Sequence, residues 1–235
     1  APGHSDTITG VALEASGIML FSASPSLRPF FTYYGGKHRA APSYPPPRHR
    51  RIVEPFAGSA GYSVRHCSND IELHDLSSDI ARTWGYLLAS QSEDVLSLPD
   101  ITEGETVEKA PENARPLIGW WLNKATTYPG KSPSRWMRLW QQGDPRQAGR
   151  PCQFWGAGIR NRIAAQLSAI RHWSFTQGSY EDIDTTQPAT WFIDPPYQQA
   201  GRCYRHGSSS IDYAALGKWC RSLPGRVIVC EQEGA

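Results

Sequence analysis

The sequence predicts an α/β domain: a doubly wound, Rossmann-like sheet with a small, mainly helical inserted subdomain. Three observations carry this. Short apolar runs ending in an acid (RRIVEPF at 50–56, IELHDL at 71–76, TWFID at 190–194) alternate with amphipathic stretches, the rhythm of β-α-β units. The first run leads into a turn of small residues, AGSAG, where folds of this type place a ligand loop. At 235 residues, the chain is long enough for one such domain with a sizeable core.

The elements follow in order. Residues 1–27 read as a lead-in that need not be ordered. GIMLFSAS within it is too short for a membrane span and has no basic flank, the first Lys or Arg being Arg28, so it does not read as a secretory signal. FFTYYGGKHR at 30–39 reads as a turn in which Gly35-Gly36 permits backbone angles that other residues avoid. After the first strand, AGSAGYSVRHCS predicts a tight turn and then a helix. IELHDL alternates as a second strand, and SSDIARTWGYLLAS predicts an amphipathic helix opened by a Ser/Asp cap. Residues 99–116 are acidic and turn-rich, and the Pro- and Gly-broken stretch after them completes an insertion over 99–173. Within it Ile159, Ile163, Leu167 and Ile170 form a helical stripe returning to the sheet. WSFTQGS, TWFID, a helix near 211–221 and RVIVCEQ then complete a main domain made of 28–98 and 174–235.

Five cysteines with no C-x-x-C pair argue against a disulfide framework or a zinc knuckle, so no metal and a reducing, cytoplasmic setting are expected. No apolar run reaches the length of a membrane span. Charge is unevenly spread: 67–113 holds eleven acids against Arg82 and Lys109, while 114–180 holds ten Lys/Arg and only Asp144. The second stretch also carries Trp120, Trp121, Trp136, Trp140, Trp155 and Trp173. Cations interleaved with flat rings suit phosphates and bases; a solvated basic surface around a Trp-rich small core is the plainer alternative.

Two constellations carry chemistry. Glu54-Pro-Phe-Ala-Gly-Ser-Ala-Gly61 lies where the first strand ends, and its small residues let backbone approach a ligand closely. It is neither a phosphate loop nor a strict G-x-G-x-x-G, and its acid disfavours a phosphate while suiting a cationic or hydroxyl-rich ligand, which argues against a dinucleotide oxidoreductase. Asp75 closes the second strand seventeen residues after Gly58, the spacing at which an acid accepts hydrogen bonds from a ribose. The second constellation is Asp194-Pro195-Pro196-Tyr197. Pro-Pro cannot continue a ladder, so the chain must leave its strand at Asp194. A carboxylate, backbone carbonyls and an aromatic ring at a stiff corner are suited to grip an amino group on a flat ring. Lys37 of the GGK turn could reach a carboxylate.

In this order, FFTYYGGK, EPFAGSAG, LHDLSSDI, a spacer and FIDPPY resemble the Dam-type DNA adenine-N6 methyltransferases of bacteria and phages, over roughly residues 30–204. The resemblance implies a class I methyltransferase sheet, S-adenosyl-L-methionine as cofactor, double-stranded DNA as partner and transfer of a methyl group to adenine N6 in a flipped base, by a monomer. By position it implies that Tyr33 and Lys37 contact the cofactor, that Glu54, Phe56 and Gly58 line its methionine end, and that Asp75 holds its ribose. Asp194, Pro195, Pro196 and Tyr197 would form the catalytic motif, with Asp194 also beside the cofactor. The spacer stands in place of the target-recognition domain, with Lys131, Arg135 and Arg138 there, and Tyr204 past the corner, expected at the nucleic acid. Ala60 stands where the family has a second glycine, and Ser179 where it often has an acid. The family's sheet also has strands beyond those readable before residue 235. RNA adenine, cytosine N4, or a catalytically inactive cofactor- or DNA-binding module are the rival expectations.

Overall fold

The computed structural model describes residues 27–124, 126–143, 153–197 and 208–230. Among them, five strands form one wholly parallel sheet: β1 (Arg51–Glu54), β2 (Asp70–Asp75), β3 (Ser174–Gln177), β4 (Ala189–Ile193) and β5 (Gly225–Val229). Their spatial order is β3-β2-β1-β4-β5, so the winding reverses between β1 and β4. The helices are α1 (Ser78–Ala89), α2 (Ser92–Leu96), α3 (Arg115–Leu122), α4 (Arg135–Gln141), α5 (Ala157–Gln166) and α6 (Tyr213–Ser222).

Each face of the sheet has its own core, which is the doubly wound arrangement that the alternating runs predict. On β4 the period of two sends Ala189, Trp191 and Ile193 to one face, where they meet Leu216 of α6 and Leu223. Phe192 points to the other face and joins Ile52, Leu73 and the α1 residues Ile80, Trp84 and Leu87. All five residues of β4 are buried, as a central parallel strand requires. The apolar residues of 99–173, among them Ile101, Leu117, Trp120, Trp155 and the predicted stripe of Ile159, Ile163, Leu167 and Ile170, belong to the same buried cluster as β1, β2 and α1.

Two local expectations need correction. Instead of a helix after the glycine turn, residues 57–69 form successive turns with one 3-10 turn at Ser63–Arg65. Gly58 (φ 45°) and Ala60 (φ 52°) take left-handed angles that interrupt a helix. Backbone groups there are satisfied instead by side chains: Gly58 N–H donates to Asp75 Oδ2 at 2.9 Å, Gly58 C=O accepts from the Trp84 indole at 2.9 Å, and Ser63 N–H donates to Glu54 Oε1 at 2.7 Å. The second correction concerns the start of α1. The Ser77 side chain makes no capping bond; Asp75 Oδ1 accepts from Ser77 N–H at 2.9 Å, so the strand-end acid holds the helix entry.

Charge separated along the chain is partly recombined in space. Arg160 pairs with Asp100, Arg138 with Glu103 and Arg82 with Glu112, joining the basic stretch to the acidic one or closing pairs within it. Arg115 and Arg171 donate to backbone carbonyls, and the Arg162 guanidinium lies over the Trp121 ring. Trp120, Trp121, Trp155 and Trp173 are core residues. The plainer alternative, a Trp-rich core under a solvated surface, therefore describes most of this segment. Lys131, Arg135 and the 60% exposed Trp136 remain on the surface. Among the described residues no helix is long and apolar enough to cross a membrane, and no group of three His, Cys, Asp or Glu side chains could hold a metal ion.

Candidate functional site

A cleft of about 640 Å³ opens at the carboxyl ends of β1, β2, β3 and β4, over the point where the strand order reverses. This is where open α/β sheets bind ligands, and the volume suits a small organic molecule. Tyr33, Lys37, Glu54, Phe56, Gly58, Asp75, Asp194, Pro195, Pro196 and Tyr197 all line it. Residues scattered over the sequence from 33 to 197 thus line a common cleft. Tyr204 lies outside the described residues. Lys131, Arg135 and Arg138 do not line the cleft, although Thr127, four residues before Lys131, does.

The glycine-rich loop is the seat on which the 33–38 turn rests. Tyr33 closes its tight turn by accepting from Gly36 N–H at 3.2 Å, with Gly35 at φ 73°, the freedom expected of that pair. The Tyr33 ring lies on Gly58, where an added Cβ would come within 2.9 Å of it, and stands edge-on to Trp120 at 5.4 Å. Gly61 has even less room: a Cβ there would lie 2.7 Å from the backbone nitrogens of both Lys37 and His38. Trp84 of α1 and Asp75 of β2 brace the loop from behind through the Gly58 bonds already described.

At the other wall the chain leaves β4 at Asp194, as Pro-Pro demands. The Lys37 ammonium lies 2.6 Å from one Asp194 carboxylate oxygen and 2.7 Å from the other, and 4.8 Å from the centre of the Tyr197 ring. Burial alone would lower the Lys37 pKa, but Asp194 and then Tyr197 outweigh it and raise it. Lys37 is thus a cation, and the corner formed by Asp194 and Tyr197 is holding an amine. Tyr213 of α6 donates its hydroxyl to the Pro196 carbonyl, which fixes the corner from outside.

Glu54 is 2% exposed at the end of β1. Burial drives its pKa up to about 8, against the opposing hydrogen bonds from Ser63. Folded protein therefore keeps a proton on Glu54 between about pH 4.5 and 8, where the unfolded chain has lost it. Since the native state binds more protons in that window, stability falls as pH rises through it and levels off above. Relative to Glu54→Gln, the wild type is expected to lose about 3 kcal/mol between pH 5.5 and 8. Urea unfolding of both proteins across that range checks this; parallel profiles would mean that Glu54 titrates normally.

The structure adds residues that the motifs did not mark. Tyr180 lines the cleft after β3 with its ring 5.7 Å from Phe56, and Glu181, Ile211 and Asp212 complete that wall. Their signal was positional only: each follows a strand or precedes a helix at the ligand end of the sheet. Ser179, which stands where the resembled family often has an acid, lines the cleft and also caps the turn at Tyr180–Asp182, its hydroxyl accepting from Glu181 N–H while Asp182 accepts from Ser179 N–H. Compared with known proteins, the chain matches no family model and no curated protein.

Proposed function

We propose that this protein transfers a methyl group from S-adenosyl-L-methionine to N6 of an adenine in double-stranded DNA. The observation that carries the reading is the occupied corner: Asp194 and Tyr197 hold the Lys37 amine through two short contacts and an aromatic face, inside a switch-point cleft that also contains Glu54 and Asp75. An amine on a flat ring has the same needs. The wall chemistry fits the cofactor as well. Asp75 at the end of β2 suits ribose hydroxyls, and Glu54 at the end of β1 suits an ammonium, whose positive charge would draw the proton off the buried carboxyl. Phe56, Tyr180 and Tyr33 offer aromatic surface to an adenine ring.

In this reading Glu54, Phe56 and Gly58 hold the methionine end and Asp75 the ribose, while Tyr33 and Lys37 contact the cofactor from the 33–38 turn. Bound there, S-adenosyl-L-methionine would supply an activated methyl group. The protein's part is alignment and charge. Adenine N6 is a weak nucleophile because its lone pair is delocalised into the ring. The Asp194 carboxylate, accepting a hydrogen bond from N6–H, localises that pair and stabilises the positive charge that develops on nitrogen as the C–N bond forms; the electrons of the broken C–S bond would stay with sulfur as a neutral thioether, and the surplus N6 proton is shed to water. Stacking on Tyr197, worth about 1–3 kcal/mol, offsets part of the cost of extruding the base. Lys131 and Arg135, exposed beside Trp136, are the described side chains best suited to the phosphate backbone; Arg138 is already compensated by Glu103.

The test is product analysis. Protein, methyl-labelled cofactor and either unmodified DNA or RNA are incubated separately and digested to nucleosides. N6-methyldeoxyadenosine from the DNA arm is the expected result. Label in RNA adenosine or at cytosine N4 would move the substrate, and tight cofactor binding without any methylated nucleoside would make this a binding module.

A further inference from the structure

In the free protein the corner meant for a substrate amine is full. The Lys37 ammonium donates to one Asp194 carboxylate oxygen at 2.7 Å and to the Gly35 carbonyl at 3.0 Å, and the other carboxylate oxygen lies 2.6 Å away as its ion-pair partner. It also lies over the Tyr197 ring. An incoming N6 amine needs the same oxygens and the same ring, so both cannot be held at once. The Lys37 backbone has no room to retreat towards the glycine loop, because Gly61 packs against its amide nitrogen. Only the side chain can swing. With Lys37 13% exposed and Asp194 18% exposed, a half-desolvated ammonium leaves such a partner readily only for another anion.

Building on the function proposed above, we infer that Lys37 is an internal plug: it fills the Asp194–Tyr197 corner until the carboxylate at the amino-acid end of the cofactor draws its ammonium away. Cofactor and base then bind cooperatively, cofactor first, and the carboxylate is the part of the cofactor that opens the corner. A coupling of this kind is reciprocal, and couplings of about 5- to 150-fold are usual.

The probe is a fluorescent adenine-rich single strand, whose bases need no unpairing and which carries no particular recognition sequence. Its affinity is measured alone, with saturating S-adenosylhomocysteine, and with the decarboxylated form of that compound. Roughly tenfold tighter binding with S-adenosylhomocysteine, and no gain with the decarboxylated form, is the expected result. Lys37→Met, checked for folding by its thermal melt, is expected to bind the strand tightly with or without either compound. Equal gains from both compounds, or full coupling retained in Lys37→Met, would overturn the plug. A measurement on the wild type needs no variant: the ¹⁵N-labelled Lys37 ammonium resonance should shift when S-adenosylhomocysteine binds, and an unmoved resonance in a calorimetrically saturated complex overturns the inference. The parent reading fails differently, by showing no binding of S-adenosylhomocysteine at all, and the plug falls with it.

Discussion

Asp194→Ala is expected to reduce methyl transfer on the order of 10²–10³-fold while leaving S-adenosyl-L-methionine binding within a few-fold of wild type. The carboxylate is the group that would localise the adenine lone pair and face the charge developing on N6, so its loss acts on the transition state more than on the ground state. On the proposed function, cofactor binding is expected to survive because Glu54, Gly58 and Asp75 lie on the opposite wall and are held by their own partners, Ser63, Trp84 and the Ser77 amide. Lys37, freed from Asp194, keeps the Gly35 carbonyl and gains access to the cofactor carboxylate. Single-turnover transfer of labelled methyl and calorimetric titration with the cofactor separate the two effects. Unchanged turnover would remove Asp194 from the chemistry; a parallel collapse of binding would make it a cofactor ligand first.

The second large effect is steric. Gly61→Ala is expected to destabilise the fold by about 1–3 kcal/mol and to cut activity by roughly 10²-fold. The added methyl would lie 2.7 Å from the backbone nitrogens of Lys37 and His38 and 3.0 Å from the Lys37 carbonyl carbon. Backbone cannot rotate away as a side chain can, so the whole 33–38 turn must lift, taking Lys37 and Tyr33 out of register with Asp194 and Gly58. Gly85→Ala serves as the contrast. Gly85 is an exposed α1 residue with nothing within 4 Å of an added Cβ, and alanine there is expected to stabilise by about 0.5–1 kcal/mol. Urea melts of both variants, with transfer assays, check the pair. A wild-type-like Gly61→Ala would show that the turn is not seated on the glycine loop.

The sheet was legible in the sequence because its information is local. RIVE and ATWFI are short, apolar and bounded by an acid, and α1 carries its stripe within twelve residues. The cleft residues were legible for the same reason, each motif sitting at a strand end where the fold exposes it. What escaped depends on contacts between distant segments. Lys37 meets Asp194 across 157 positions, which makes the corner an occupied one, and nothing near either residue announces the partner. The helix expected after Gly58 is lost to side chains from β1, β2 and α1 that take its backbone bonds. Two arginines of the basic stretch, Arg160 and Arg138, meet Asp100 and Glu103 of the acidic one, pairings that no local pattern announces.

The two strands flanking the reversal share only two register positions, Ile52 with Thr190 and Val53 with Trp191, whereas every other neighbouring pair shares four or five. The crevice is thus a fork left unzipped between two halves of the sheet, with Glu54 on one tine and Asp194 on the other. A molecule gripping both tines would bridge the two halves of the sheet and, by binding only the folded chain, stabilise it.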